Sequence, residues 1–178
     1  MSMHSAANEG PCGEPPTYSL RVISGGQTGV DRAALDAAMM LNIPHGGWCP
    51  RERLAEDGRI PDRYRLQETN SSEYAVRTEW NVRDSDATLI LTQGEMSGGT
   101  KLTAVLALRY SKPLLVINLA ENPLPMSAVQ WLLRHNVHTL NIAGPRESTS
   151  PGIYKAARSF LSEVLRVWRS SCSEHPNQ

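Results

Sequence analysis

The chain has little cysteine and no long apolar run. Its three cysteines, Cys12, Cys49 and Cys172, are odd in number and lack CxxC spacing. This pattern excludes a disulfide scaffold and a cysteine-based zinc site, and it is typical of a reduced cytoplasmic protein. No segment approaches the roughly 18 apolar residues of a membrane helix, and the first residues do not resemble a signal peptide.

The sequence also lacks an excess of either charge. Its 18 basic residues balance its 18 acidic residues, so no broad electrostatic field would attract nucleic acid or an anionic membrane. Any anion site must therefore be local. A length of 178 residues fits one ordinary domain, which buries about two thirds of the surface exposed by the unfolded chain.

Composition and periodicity divide the chain into a disordered N-terminal segment (1–17), one domain (18–169) and a C-terminal tail (170–178). Apolar runs predict strands at 18–24, 42–45, 87–92, 113–119 and 138–142. Helical patterns occupy 31–41, 71–83, 101–110, 125–136 and 153–168, with Ser71 and Ser72 as N-caps of the second helix. The segments 46–61 and 143–152 are predicted loops.

The predicted strands are continuously apolar rather than alternating, and most are followed by a helix. Such strands belong to a parallel sheet that is covered on both faces. The sequence therefore predicts an α/β protein with a single Rossmann-like domain, three layers in the order α/β/α, and a mostly parallel sheet.

The strongest local signal is the segment from Ser24 to Asp31, SGGQTGVD, between a strand and a helix. Glycines allow close backbone approach, and helix N–H groups attract an anion. The segment does not match GxGxxG, because Ser24 replaces the first glycine, or GxxxxGK[ST], because no lysine follows Gly29. The predicted ligand contacts are Gly25, Gly26, Gln27, Thr28, Gly29 and Asp31. The alternative is a turn that only connects the two elements.

Two expectations follow for individual residues of this loop. The Asp31 carboxylate would repel a phosphate, so it must turn away or meet a hydroxyl, a ring N–H or a bridging cation. Gly26→Val is expected to block the ligand while leaving most of the fold intact.

Two further loops follow predicted strands and should lie at the same edge of the sheet, where open α/β sheets bind ligands. Arg146 offers a planar group for a phosphate or for a pterin or purine edge, unless it only pairs with Glu147 at the surface. Lys101 would add a charge, or would be a solvated helix residue. The predicted contacts in these loops are Ser97, Gly98, Gly99, Thr100, Gly144, Arg146, Glu147 and Ser148.

A helix and the long loop supply the remaining candidates. Arg77, Asn81 and Asp84 share one helix face, and they either reach the crevice or pair with one another. Trp48 could cover a flat ring. Cys49 next to it could meet a soft metal, but an inert thiol is the simpler interpretation.

Five segments, in this order, resemble the molybdenum carrier family: GGQTGVDRAAL, WCPRERLAEDGRIPDRYRLQE, YAVRTEWNVRDSDATLIL, SGGT and LNIAGPRES. The resemblance covers about 21–165 and implies a Rossmann-like fold related to the lonely-guy and lysine-decarboxylase-like proteins. It also implies a homo-oligomer, dimer or tetramer, and binding of the molybdenum cofactor, a phosphate-bearing pterin with a dithiolene-held molybdenum. The glycine loops would hold its phosphate and pterin ends. Enzymes that synthesise or accept the cofactor would be partners.

One departure from the related hydrolases bears on activity. Those enzymes carry a PGGxGTxxE motif whose glutamate serves glycosidic cleavage, and Thr103 stands at that position here. A hydroxyl cannot replace that carboxylate, although Asp31, Asp84 or Glu95 could supply another. We therefore expect a carrier rather than an enzyme. The alternatives are a phosphoribohydrolase-like enzyme acting on nucleotides and a nucleotide-sensing protein.

Overall fold

The computed structural model describes residues 19–173, so the predicted N-terminal segment and residues 174–178 of the predicted tail lie outside the described residues. Two short 3-10 turns occupy Arg51–Arg53 and Leu119–Glu121. In chain order, the other elements are β1 (Arg21–Ile23), α1 (Val30–Met40), β2 (His45–Gly46), β3 (Trp48–Cys49), β4 (Leu54–Ala55), β5 (Gly58–Arg59), β6 (Gln67–Glu68), α2 (Tyr74–Arg83), β7 (Ala87–Thr92), α3 (Gly98–Arg109), β8 (Leu114–Asn118), α4 (Pro125–Arg134), β9 (Thr139–Ala143) and α5 (Ile153–Ser173).

The main sheet has five strands in the order β2-β1-β9-β7-β8, and every neighbouring pair is parallel. Strand β7, which lies between β9 and β8, is buried at all of its positions, as the continuous apolar sequence ATLILT predicts. β8 lies at the edge, where Val116 is 42 % exposed. The predicted α/β class and mostly parallel sheet are confirmed.

Helices cover both faces of this sheet. The larger core joins residues of α1, α4 and α5 to one face, and it includes Leu89, Leu140 and Ile142. A smaller core joins α2 and α3 on the other side through Val82 and Leu106. The predicted three-layer arrangement of a single Rossmann-like domain is therefore confirmed.

The strand order is that of a doubly wound sheet whose chain has been cut at another place. If the chain started before β7 and its ends were joined, the strands β7, β8, β9, β1 and β2 would become first to fifth. The spatial order would then be 2-1-3-4-5, a common doubly wound order that binds ligands between its first and third strands. Those two strands are β7 and β9 here.

The segment 46–61, predicted as a loop without regular structure, contains short strands. β3 pairs in parallel with β6, and β4 and β5 form a hairpin. Arg53 organises the segment, because its buried guanidinium donates to the carbonyl oxygens of Ile60, Pro61, Tyr64 and Leu66 at 2.9–3.3 Å. A two-residue strand leaves no periodic pattern in a sequence, which explains the difference.

Among the helices, three ends differ most from those predicted. α2 begins at Tyr74 with Glu73 as N-cap, so neither predicted serine is the cap, although Ser71 Oγ accepts the Glu73 N–H at 3.1 Å. α3 begins at Gly98, so the predicted glycine turn forms its first turn. α5 continues to Ser173, five residues beyond the predicted end.

Candidate functional site

A cleft of about 140 Å³ opens at the carboxyl edge of the sheet, between the loops that follow β1, β7 and β9. β7 and β9 are the strands between which a doubly wound sheet of this order binds its ligands. α2 completes the wall. Half of the predicted site residues meet there: Gln27, Asp31, Arg77, Ser97, Gly98, Gly99, Thr100, Gly144 and Arg146.

Asp31 and Arg77 form an ion pair in the cleft. Arg77 Nη1 donates to Asp31 Oδ2 at 2.9 Å, and only 4 % of the Asp31 side chain and 14 % of the Arg77 side chain are exposed. Burial raises the pKa of Asp31, while Arg77 and the N–H of Gln27 oppose that rise. The carboxylate that would repel an anion is therefore paired with a guanidinium group.

Gln27 lies beside this pair and is 6 % exposed. Its Oε1 accepts the N–H of Thr28 at 3.0 Å and the N–H of Glu56 at 2.9 Å. Among residues 19–173, the buried atoms Gln27 Nε2 and Arg77 Nε have no hydrogen-bond partner. Both are donors, and neither has an acceptor within hydrogen-bond distance among these residues.

The N-terminus of α3 forms the opposite wall. Its N-cap Ser97 makes no side-chain hydrogen bond to the helix, and the residues from Ser97 to Gly99 are exposed. A Cβ built on Gly98 or Gly99 would meet nothing within 4 Å. The first N–H groups of a helix have no intrahelical acceptor and carry its positive end. This helix end is open to an anion.

The N-terminus of α1 is instead covered by the protein itself. The N–H of Val30 donates to the Pro145 carbonyl oxygen at 3.2 Å. A Cβ on Gly29 would lie 2.3 Å from that oxygen, so glycine is required for the contact. The loop predicted to bind the ligand through its backbone is thus packed against the loop after β9.

The other glycines of the first and third loops also serve close packing. A Cβ on Gly25 would lie 1.8 Å from Arg77 Nη1, and one on Gly144 would lie 2.4 Å from the Leu91 carbonyl oxygen. Gly26 has a φ of 78°, and a Cβ there would lie 2.5 Å from Leu66 Cδ1. Gly26→Val is therefore expected to be strained, because valine rarely adopts this φ and its added atoms would meet the side chains of Leu66 and Ile60.

Glu56 joins the first loop to the third. The hydroxyls of Thr28 and Ser148 both donate to its carboxylate, and Arg146 Nη1 lies 3.8 Å from Glu56 Oε2. Partial burial acts to raise the pKa of Glu56, but the hydrogen bonds from Ser148 and Thr28 outweigh it and lower that pKa. Thr28 and Ser148 lie outside the cleft wall and hold the two loops together.

Glu147 caps α5. Its carboxylate accepts the N–H of Gly152 at 2.6 Å and the N–H of Tyr154 at 3.0 Å. A carboxylate at a helix N-terminus satisfies free N–H groups and complements the helix dipole. Glu147 lies outside the cleft wall, and these contacts account for its position.

Trp48, Asn81 and Asp84 form a cluster outside the cleft wall. Asn81 exchanges two hydrogen bonds with the backbone of Trp48 at 2.8 and 2.9 Å, and Trp48 Nε1 donates to Asp84 at 2.8 Å. These contacts attach α2 to β3. Cys49 is fully buried, which raises the pKa of its thiol, as expected for an inert cysteine.

Sequence reasoning missed several residues of the cleft wall. Thr103 donates its hydroxyl to the Gly99 carbonyl at 2.8 Å, and Thr78 donates to the Tyr74 carbonyl at 2.8 Å. Thr78 follows Arg77, and Thr103 lies three residues after Thr100 on the same helix. This spacing from predicted site residues could have identified both threonines. Lys101 is exposed and does not line the cleft. The missed residues are Thr78, Thr103, Ala143, Pro145 and Thr149.

The sequence profile of the circularly permutated YpsA SLOG family matches residues 22–165. The chain belongs to this family. The permutation in the family's description agrees with the strand order of this SLOG protein, which becomes a common doubly wound order when the chain is cut before β7.

A solved structure of a proposed molybdenum carrier protein from Syntrophus aciditrophicus is 48 % identical to this SLOG protein. The match has a TM-score of 0.77 and covers 84 % of this chain and 95 % of that chain. The predicted membership of the molybdenum carrier family is confirmed. (E)-4-Hydroxy-3-methyl-but-2-enyl diphosphate reductase is 14 % identical over 82 % of this chain and 59 % of that chain, and its TM-score of 0.37 is too low to indicate a common fold. No curated protein matches the sequence significantly.

Two features are absent from the SLOG protein between residues 19 and 173. No helix in this range is long and apolar enough to cross a membrane. The same range contains no group of three or more histidine, cysteine, aspartate or glutamate side chains that could hold a metal ion.

Proposed function

We propose that this protein binds the molybdenum cofactor as a cargo and carries it, with the phosphate end of the cofactor in the cleft. The family and the 48 % identical relative support a carrier or binding role. One observation carries the assignment to the cleft: its two unpaired buried side-chain atoms, Gln27 Nε2 and Arg77 Nε, are both donors. A phosphate presents only acceptor oxygens when it is fully ionised.

The charges of the cleft wall favour an anion. Arg77 and Arg146 contribute two positive charges against the single negative charge of Asp31. The exposed N-terminus of α3 adds the positive end of a helix dipole. The proposed contacts are therefore Gln27, Arg77, Arg146 and the backbone of Gly98 and Gly99.

The cleft does not offer side-chain ligands for molybdenum itself. Its wall contains no thiol and no imidazole, and Cys49 is buried outside it. Soft metals prefer such ligands, so the metal would remain held by the dithiolene of the cofactor. The protein's part is to bind the organic portion.

The wall formed by Arg146 suits a flat ring. Arg146 is 40 % exposed at its side chain, and its guanidinium lies 5.7 Å from the centre of the Tyr74 ring. Both groups are planar, and guanidinium groups stack on aromatic faces. A pterin that leaves the cleft at this point would lie against them.

The first experiment adds cofactor released from a donor enzyme to the purified protein. Pterin fluorescence and molybdenum should co-elute with the protein in equal amounts, and the bound cofactor should oxidise more slowly than the free cofactor. Arg146→Met should weaken retention, whereas Arg166→Met, an exposed arginine of α5 outside the cleft, should not. Absence of retention by the wild-type protein would contradict the proposal.

A nucleotide-processing enzyme is the second candidate, favoured by one observation. Asp31 is a buried carboxyl group in the cleft with a raised pKa, a property of many catalytic acids. Incubation with nucleoside 5′-monophosphates and chromatographic detection of free base would reveal turnover. Loss of that turnover in Asp31→Asn would assign it to the cleft, and binding without cleavage would favour a sensor.

The remaining expectations concern the cell and the assembly. We propose a cytoplasmic protein that forms a dimer or tetramer and meets enzymes that synthesise or accept the cofactor. Sedimentation equilibrium with and without cofactor measures the assembly. A monomer at all concentrations would contradict that part of the proposal.

A further inference from the structure

The backbone fixes the carboxamide of Gln27 in one orientation. Its Oε1 accepts two N–H groups, from Thr28 at 3.0 Å and from Glu56 at 2.9 Å. Turning the group over would place its NH₂ against these two donors and would lose both hydrogen bonds. Nε2 is therefore the atom that Gln27 presents on its other side.

We infer that this other side of the carboxamide faces the cleft. Gln27 lines it, whereas Thr28 and Glu56, the residues that hold its oxygen, do not. Nε2 has no partner in the described part of the chain, although 94 % of Gln27 is buried, since its exposed fraction is 6 %. Arg77 Nε, on the same wall, is likewise buried and unpaired. Buried donors without acceptors are destabilising until a ligand supplies one.

We propose that Gln27 is the residue by which the cleft selects an oxyanion, together with Arg77 Nε and the open N-terminus of α3. The group recognised is a tetrahedral oxyanion, which both the esterified phosphate of the cofactor and free molybdate provide. A group that presents hydrogens is rejected, because Nε2 cannot turn over to accept them. The inference rests on the proposed function only in naming the cofactor phosphate as one of the two sources.

Gln27→Glu tests this selection. Glutamate has nearly the same shape and keeps an oxygen for the N–H groups of Thr28 and Glu56, but it replaces the Nε2 donor with a second oxygen. Gln93→Glu is the matched control, because Gln93 is exposed after β7 and outside the cleft wall, and the substitution adds the same charge.

Isothermal titration would measure binding of inorganic phosphate, orthomolybdate and released molybdenum cofactor. We expect Gln27→Glu to weaken each by about 10- to 100-fold, since a charge-assisted hydrogen bond is lost and a repulsive charge is added. Gln93→Glu should change each affinity by less than about threefold, because solvent screens an exposed charge. Comparison of phosphate and molybdate with the cofactor distinguishes the two sources of the oxyanion.

Measuring the affinities of both proteins at several pH values tests whether Gln27 donates a hydrogen bond to the oxyanion or only supports the structure of the cleft. At lower pH the introduced carboxyl group becomes protonated and regains an O–H donor, so the ratio of variant to wild-type affinity should rise. Asp31, Arg77, Arg146 and Glu56 are the charged groups that share the wall with Gln27 or hold its oxygen. Both proteins contain them, so their titration largely cancels in the ratio. A flat ratio would indicate a structural role and overturn the inference.

The possible results distinguish this inference from the carrier function. Oxyanion binding that Gln27→Glu weakens, without cofactor binding, would support the inference and contradict the carrier. Cofactor binding that Gln27→Glu leaves unchanged would support the carrier function and contradict the role of Gln27. If no probe binds, both proposals are contradicted. If Gln27→Glu does not fold, Arg77→Lys keeps a cation near Asp31 and removes Nε, and unchanged oxyanion affinity in that variant overturns the inference.

Discussion

At the scale of single residues, two nitrogen atoms of the Arg77 side chain have different environments. Its Nη1 donates to Asp31 at 2.9 Å, and its buried Nε has no hydrogen-bond partner within the described range. The attraction between two buried charges offsets the cost of removing them from water only while both are present. The pair therefore links the stability of the fold to the electrostatics of the cleft.

Arg77→Met leaves the buried Asp31 without an opposite charge, so the free energy of unfolding should fall by about 3–5 kcal/mol near neutral pH. The pKa of Asp31, already raised by burial, should rise further without Arg77. A raised pKa in the folded state gives stability below the unfolded value of about 4 that is lost as pH increases. Urea unfolding at several pH values should show the variant regaining stability towards about pH 4.

The control for this prediction removes both charges. Asp31→Asn with Arg77→Met should be more stable than Arg77→Met alone near neutral pH, because no uncompensated charge remains buried. A loss in Arg77→Met that is independent of pH would show that Asp31 is not the cause.

An added side chain should lower the stability of the fold at Gly26 but not at Gly99. Gly26→Val places atoms against Leu66 and Ile60 at a positive φ, so it should lower the free energy of unfolding by at least about 2 kcal/mol. Gly99→Ala meets nothing within 4 Å and should leave stability within about 1 kcal/mol. Its methyl group should nevertheless weaken cofactor retention beside α3. Chemical denaturation and co-elution measure the two effects, and equal stability of both variants would contradict the packing argument.

At the scale of elements, Glu147 determines how α5 starts. Glu147→Ala removes the acceptor of the Gly152 and Tyr154 N–H groups, so stability should fall by about 1 kcal/mol. Cofactor affinity should stay within about twofold, because Glu147 lies outside the cleft wall. Thermal unfolding and titration measure these two quantities. Glu147→Gln, which keeps an acceptor oxygen, is the control, and a large loss of affinity in both variants would make Glu147 a ligand contact.

The long helices and the central strands were predictable because each carries its own pattern. α1 begins and ends within one residue of the prediction, and β7 matches it fully. The segment 46–61 was not predictable, since its short strands exist only through distant partners and through the four carbonyl contacts of Arg53. Such contacts leave no period in the sequence.

At the scale of the whole molecule, the strand order becomes a common doubly wound order when the chain is cut before β7. Ser19 lines the same small pocket as Trp168, so the start of the described chain lies beside the last helix, α5. A permutant that begins at Glu73, ends at Ser72 and joins Gln178 to Met1 should keep the fold, because its new ends lie in an exposed loop before α2. Circular dichroism and cofactor titration would test it, and an unfolded permutant would show that the connection before α2 is required.

The sequence by itself determined the α/β class, the parallel sheet, the family and the loops that meet at the sheet edge, because apolar runs and glycine turns are local properties. It placed Gln27, Asp31, Arg77 and Arg146 among the site residues. Only the tertiary structure decided their partners. It paired Asp31 with Arg77, covered the N-terminus of α1 and left that of α3 open, because these contacts join segments that are far apart in the chain.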